Sequence, residues 1–306
     1  MADTTGSLLV RKRSRWWNAE ARLAYILLAP AVIVLVAFMF YPIIYVFLMS
    51  FFDTSKLGQL RAFVGFKNYR GLFATSDFWV ITIRSIAWTA IGVVSKTLFG
   101  LIIALLLNVE YKGRKFSRLL FIIPWASAVP ISAMLWEWVY NPEFGLLSHT
   151  LKMVGLWKHP PIWLGEPISA FFACMWVDIW IGIPFMALVF LAGMQSIPAE
   201  RYESAYIDGV NSWQKFFYIT LPGISELLMI ATLLSSLWTF NDFNVIYILT
   251  KGGPGGSTDI LITSVYKNGF EWLKFNTASV MAVVTFIILA IVSIVYARIY
   301  FRRESS

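Results

Sequence analysis

The chain has 306 residues, 58% of them hydrophobic and only 14% charged, with a mean hydropathy of +0.69. That is far more apolar than a water-soluble globular domain, so the composition marks an integral membrane protein and excludes a soluble enzyme or binding module. The formal net charge of +8 is not gathered into a basic stripe interleaved with aromatics in a soluble segment. That excludes a nucleic-acid footprint and leaves the charge as a signal of membrane topology.

A helix needs about 20 apolar residues to cross the hydrocarbon core, and six segments qualify: 24–52, 78–107, 118–140, 168–192, 222–246 and 277–301. Before them lies a polar tail, 1–23, in which Arg11, Lys12, Arg13 and Arg15 run into Trp16 and Trp17. Basic residues suit an anionic inner leaflet and indoles suit the interface, so membrane lipid is one expected partner. The first span lacks a small-residue cleavage site before a polar mature region and is expected to be a retained helix. An outer loop, 53–77, carries "FVGFKNYRGLF" from Phe63 to Phe73, either aromatic interface anchors or a partner contact. The rest is expected to be one core of five spans, 78–301, with a polar connection at 193–222 and a tail at 302–306. With both termini cytosolic, the inner segments hold 14 Lys and Arg against 9 in the outer ones, which favours N-in and C-in.

Within the third span Pro124 and Pro130 remove backbone donors and should kink the helix, and Gly182 with Pro184 should bend the fourth. The ionisable and amide residues inside spans are Arg84, Lys96, Glu137, Asp178, Glu226, Asn241 and Asp242. Such groups are costly in a membrane and face a cavity, a partner or each other. Arg84 and Glu226 lie near span ends, where snorkelling accounts for them. Lys96 is expected to pair with an unnamed acidic group of another helix.

Asp178 stands in "MWVDIWIGIPF" (Met175 to Phe185), where Asp178, Ile181, Gly182 and Phe185 share one helical face. Downstream, Ser235, Trp238, Thr239 and Asp242 share another, with Asn241 beside it. A carboxylate, an open backbone patch and an aromatic ring on one stripe suit a polyol, through hydrogen bonds to hydroxyls and a flat ring against C–H groups. The alternatives are that Asp178 caps a neighbouring helix and that Trp176, Trp180 and Phe185 only pack. Asp178 and Asp242 would repel an anion unless neutralised, which favours a neutral solute. Cys174 offers no disulfide, and His149 and His159 lack partner ligands, so neither metal nor nucleophilic chemistry is expected. The loop Lys251 to Thr258 reads as a flexible outer turn and fits no phosphate-binding motif.

Between the fourth and fifth spans lies "RYESAYIDGVNSWQKFFYITLPG", Arg201 to Gly223. Glu203, Ala205, Tyr206 and Asp208 fit a short helix, Gly209 a bend open only to glycine, and a second helix follows. Small side chains admit a partner's surface, and a carboxylate at the rim offers a charge-assisted bond to Arg or Lys. The spacing of Glu203, Ala205, Gly209, Ile219, Leu221 and Pro222 resembles the signature cytoplasmic loop of ATP-binding-cassette (ABC) importer permeases, with Ser204 in place of the usual Ala. The resemblance implies that Glu203, Ser204, Ala205, Asp208, Gly209, Leu221 and Pro222 form a coupling element seated in a cleft of a separate ATPase.

From Trp176 through this loop to "TFNDFNVIYILTKGGPGGSTD", and more broadly over 78–301, the chain resembles the maltose-type branch of carbohydrate importer permeases, specifically the first of two permease subunits. This implies an all-α, six-helix type I ABC importer permease fold in a bacterial inner membrane. It also implies a second homologous permease, two cytosolic ATPase subunits that hold the ATP and Mg, an extracytoplasmic solute-binding protein, a carbohydrate substrate, and no cofactor on this chain. The family's sugar-contacting positions fall on Asp178, Ile181, Gly182, Phe185, Ser235, Trp238 and Thr239. Asp178 and Thr239 replace amides, which points away from maltose itself but toward a hydroxyl-rich solute; glycerol phosphates and sulfo-sugars are carried in the same branch. An ion-coupled secondary transporter would require an inverted repeat, which the sequence does not display.

Overall fold

The computed structural model describes residues 19–157 and 160–304; the basic tail before Ala19 and His159 lie outside them. The chain begins with α1 (Ala19–Leu35), a π turn (Val36–Phe40) and α2 (Tyr41–Phe51). The π turn lies against Pro42, whose missing N–H breaks the regular ladder. None of this span's most apolar stretch is buried within the chain, so it presents its surface to lipid or to another subunit.

A short hairpin follows, β1 (Phe52–Thr54) and β2 (Leu60–Phe63), antiparallel with Phe52 opposite Phe63, then α3 (Lys67–Phe73). Asn68 Nδ2 donates to the carbonyls of Ser50 (3.1 Å) and Phe52 (2.9 Å), satisfying groups that the end of α2 leaves open. Tyr69 OH lies 2.8 Å from Ser50 Oγ, and the Asn276 amide N–H donates to Thr54 Oγ1 at 3.0 Å. With Asn276 Nδ2 donating to Asn68 Oδ1 at 3.4 Å, the hairpin and the Phe63–Phe73 loop together tie the first span to the last.

The core is built on α4 (Ser76–Asn108) and α8 (Pro167–Ser196). Between them run α5 (Arg114–Ala126), α6 (Val129–Val139) and α7 (Leu146–Met153). After α8 come α9 (Ala199–Ile207), α10 (Ser212–Lys215), a π turn (Phe216–Thr220), α11 (Leu221–Gly223), α12 (Ser225–Phe240) and α13 (Phe243–Thr250). The chain closes with α14 (Leu261–Tyr266), a π turn (Lys267–Glu271) and α15 (Phe275–Glu304).

Among the described residues, four continuous helices are long and apolar enough to cross a membrane, Ala21–Phe51, Ser76–Asn108, Pro167–Ser196 and Phe275–Arg302. Two bent pairs would bring the number to six, with angles of 95° between α5 and α6 and 67° between Ser212–Gly223 and Ser225–Thr250. The third expected span is therefore sharply broken, at Ser127 and Ala128, both extended. Pro130 cannot donate to the preceding turn, and Ser127 Oγ bonds the Pro124 carbonyl at 2.9 Å instead.

The bend expected at Gly182 and Pro184 is not a break. Helix α8 is continuous through both, held by close packing on several sides that offsets the lost hydrogen bond. Helices α4 and α8 meet at glycine: a Cβ on Gly100 would lie 2.6 Å from Met186 Cβ, the close approach that small residues allow between membrane helices.

The loop Lys251 to Thr258 is pinned, contrary to its glycine-rich appearance. Arg84 Nη1 donates to the carbonyls of Gly256 (2.6 Å) and Asp259 (2.9 Å), so Arg84 is a clamp and not a snorkelling residue. Asp259 pairs with Lys267 at 2.7 Å; burial pushes its carboxyl above the usual range and Lys267 pulls it back. The glycines serve conformation: Gly252, Gly255 and Gly256 all have positive φ.

Replacing Gly100 by Val should overpack the α4–α8 contact and cost about 1–3 kcal/mol, lowering the apparent Tm of the detergent-solubilised protein. Gly71, helical with nothing within 4 Å of its would-be Cβ, is the control: Gly71→Ala should hold or raise Tm.

Candidate functional site

The residues singled out in the sequence gather in two places. The first is a cavity of about 430 Å³ between α5, α8 and α12. Asp178, Ile181, Gly182 and Phe185 line it from α8, as their shared face requires, and Ser235, Trp238, Asn241 and Asp242 from α12 and the turn that follows. Lys96, Trp125, Val129 and Asn244 complete the wall. Thr239 is fully buried beneath it.

A buried ion pair forms the floor. Lys96 Nζ donates to Asp178 Oδ1 at 2.7 Å, with Oδ2 also at 2.7 Å, and to Thr239 Oγ1 at 2.7 Å. Lys96 is 4% exposed and Asp178 6%. One lysine therefore joins α4, α8 and α12. Glycine makes the space: a Cβ on Gly182 would stand 2.7 Å from Lys96 Cδ and Cε, and one on Gly92 3.1 Å from Asp178 Oδ2. Gly182 is thus a berth for the lysine stem. Trp88 Nε1 donates to the Thr239 carbonyl at 3.1 Å and holds that corner. Asp178 Oδ2, buried beside the ammonium, takes no hydrogen bond.

Aromatic rings form one wall. Phe185 stacks on Trp125 at 6.1 Å between centroids and meets Trp238 edge-on at 5.0 Å. Trp176 and Trp180 are packing groups outside the cavity, against Phe99 and Trp136. The continuous stripe expected for Ser235, Trp238, Thr239 and Asp242 is corrected in part: α12 ends at Phe240, and Asp242 is the N-cap of α13, accepting from the Val245 amide at 3.3 Å. Asn241 turns back to bond the Leu237 carbonyl at 2.9 Å. The break nevertheless leaves both side chains on the cavity wall.

The second site is the polar connection. Helix α9 ends at Gly209, whose φ is +70° with open space around its would-be Cβ, so backbone conformation is what requires glycine there. The Val210 amide closes the turn on the Ala205 carbonyl at 2.9 Å. Asn211 and Gln214 then form a reciprocal capping box that starts α10. A recess of about 710 Å³ is lined by Arg201, Ser204, Ala205, Asp208, Gly209, Tyr218 and others. Glu203 is exposed beside it. Leu221 and Pro222 open α11, and Tyr202 OH meets Thr220 Oγ1 at 3.0 Å, tying the two halves of the connection. Large apolar residues stand in the open here: Tyr206 is 78%, Ile207 84% and Trp213 74% exposed.

The family profile described as "Binding-protein-dependent transport system inner membrane component" matches residues 96–306. The chain is similar to the trehalose/maltose transport system permease protein MalF of Thermococcus litoralis, at 36% identity over 93% of this chain and 96% of that one. It is similar to the sulfoquinovosyl glycerol transport system permease protein SmoG of Agrobacterium fabrum, at 35% identity over 94% and 93%. In three dimensions it matches, with a TM-score of 0.82 at 22% identity over 92% and 96%, a chain of a bacterial ABC transporter involved in the import of the acidic polysaccharide alginate. At that identity the likeness is one of fold.

Lys96→Met alone leaves a buried carboxylate unpaired and should cost about 3–5 kcal/mol, whereas Lys96→Met with Asp178→Leu should recover most of it. Apparent unfolding of the solubilised wild type, both single variants and the double variant would measure that coupling.

Proposed function

The chain belongs to the binding-protein-dependent transport system inner membrane components, the permeases of ABC importers, and we propose that it forms one half of a path for a carbohydrate. It is a multi-pass transport subunit and not an enzyme, and it works with an extracytoplasmic binding protein and with ATPase subunits. In the proposed assembly a second, homologous permease supplies the other half of the path. Two cytosolic ATPase chains hold the ATP and Mg. The basic bias of the inner segments supports both termini on the cytosolic side, which puts the polar connection where an ATPase can reach it.

The observation that carries the reading is the position of that connection between the two helices that wall the cavity. Beyond Asp178, α8 continues to Ser196, α12 starts at Ser225 and passes Thr239, and the segment between them contains α9. The joint is closely packed: Ile224 is fully buried with Phe190, Leu191 and Met194, and a Cβ on Gly223 would lie 2.6 Å from Ile197 Cδ1. Displacement of α9 by a closing ATPase would reach both cavity walls. The exposed Tyr206, Ile207 and Trp213 would be covered by the ATPase, with Glu203 meeting a cation at the rim.

For the solute, the aromatic wall of Trp125, Phe185 and Trp238 offers flat surfaces to sugar C–H faces. Asp178, Ser235, Asn241 and Asp242 offer hydrogen-bonding groups, with Ile181 and Gly182 shaping the floor and Thr239 anchoring it through Lys96. Trehalose, maltose, sulfoquinovosyl glycerol and alginate, named for the similar proteins, are all rich in hydroxyls, and the cavity suits that common chemistry.

Glu203→Ala should weaken ATPase co-purification by about 10- to 100-fold, the worth of one charge-assisted bond, without changing the amount of permease in the membrane. Gly209→Val should do the same by straining the turn. Undiminished co-purification and sugar-stimulated ATP hydrolysis in both variants would overturn the docking assignment.

A further inference from the structure

We infer that Lys96 determines the charge specificity of the cavity, making it a site for an uncharged polyhydroxylated solute and excluding a carboxylated, sulfonated or phosphorylated one. This rests on the carbohydrate-permease reading above and narrows it. The cation on the cavity wall among its lining residues is Lys96, and its ammonium is already spent. It donates to Asp178 Oδ1 and to Thr239 Oγ1, both at 2.7 Å, and its charge is met by Asp178 Oδ2 at the same distance. The stem is locked in place by Gly182, where no Cβ could fit without displacing it. Lys96 therefore cannot turn to meet an anion without abandoning a buried carboxylate, which is strongly disfavoured.

What remains open to a solute is mostly accepting. Asp178 Oδ2 takes no hydrogen bond, but it is sealed against Gly92 and the lysine, so Asp178 adds charge to the wall more than an open acceptor. Asp242 lines the same cavity and spends its carboxylate on the N-terminal turn of α13. Neutral groups, Ser235, Asn241, Asn244 and the Trp238 indole, complete the polar set. Hydroxyls both donate and accept, so they can meet carboxylate oxygens and amides alike. A sulfonate or carboxylate only accepts, and it would face the Asp242 carboxylate while the cation of the wall is held by Asp178.

The test is uptake into proteoliposomes holding the assembled transporter, with trehalose and maltotriose as uncharged probes and an alginate trisaccharide and sulfoquinovosyl glycerol as anionic ones. The quantity read is the ratio of anionic to uncharged uptake. One binding protein serves every variant, so its own selectivity cancels when ratios are compared. The wild type should take up uncharged probes only or by a wide margin. Asp178→Asn frees the ammonium and should raise the anionic ratio about tenfold, the effect of about 1.4 kcal/mol. Lys96→Gln should lower it. Lys96→Gln with Asp178→Asn, neutral like the original pair, should return it to the wild-type value, and this variant serves even if the single ones fail to assemble. Wild-type uptake of an anionic probe at the level of the uncharged ones overturns the inference, as does a ratio unmoved by Asp178→Asn or shifted in the double variant. Failure to take up any sugar would instead overturn the carbohydrate reading beneath it.

Discussion

An unpaired ammonium or carboxylate at membrane depth costs several kcal/mol, and the packing of α4, α8 and α12 is arranged around avoiding that cost at Lys96 and Asp178. The lysine stem needs the gap at Gly182, the carboxylate needs the gap at Gly92, and a second ammonium proton needs the Thr239 hydroxyl. Trp88 then fixes the Thr239 backbone. These residues recur on α4 one turn apart, Trp88, Gly92, Lys96 and then Gly100 against Met186, so a single stripe of one helix sets the separation of both neighbours. Apolar packing alone would tolerate a shift of register between these helices. An ion pair with oxygens at 2.7 Å does not.

That constraint decides where the chain can be irregular. Helix α8 stays continuous past Pro184 because it is held along its length, and the breaks fall instead between α5 and α6 and between α12 and α13. In a membrane, non-helical backbone survives only where it is buried or lines a cavity. Both breaks border the cavity, and each satisfies its own polar groups. Ser127 bonds the Pro124 carbonyl, Asn241 the Leu237 carbonyl and Asp242 the Val245 amide. The side chains left over at these breaks, Asn241, Asp242 and Asn244, are the ones a solute would meet.

Features set by local spacing were legible in the sequence, and features set by register between distant helices were not. The α9 turn follows from the identity of a few neighbouring residues, and the structure places Gly209 in the left-handed conformation that its position in the pattern requires. The α8 face of Asp178, Ile181, Gly182 and Phe185 follows from helical periodicity and is found on one wall. Lys96 signalled itself as a lone charge in an apolar run, but its partner lies 82 residues away, beyond any pattern along the chain. The same holds for Arg84, whose acceptor on Gly256 is 172 residues distant; without that contact the Gly-rich loop looked loose. Trp125 could not be told from a lipid-facing aromatic, since only the sharp turn after α5 brings it onto Phe185. Periodicity also carried too far once, extending the helical face of Ser235 through Asp242 across a break that depends on Asp242 capping a new helix.

The arrangement also limits how motion of the polar connection can reach the cavity. Helix α8 is unbroken from the connection to Asp178, and the ion pair binds it there to α4, so a displacement at its inner end would carry α8 as a body instead of bending it at the cavity. Helix α12 has a joint at each end, the 67° turn near Ile224 and the break after Phe240, and these can absorb a change of angle. A push on α9 would therefore leave the Lys96 floor with Asp178 and Gly182 as the reference surface. The wall that shifts against it would be the one bearing Trp238, Asn241 and Asp242. Closing or opening the cavity in this way needs no loss of the ion pair, provided Thr239 pivots on its bond to Lys96, and a threonine hydroxyl rotating about one bond is a contact suited to such a pivot.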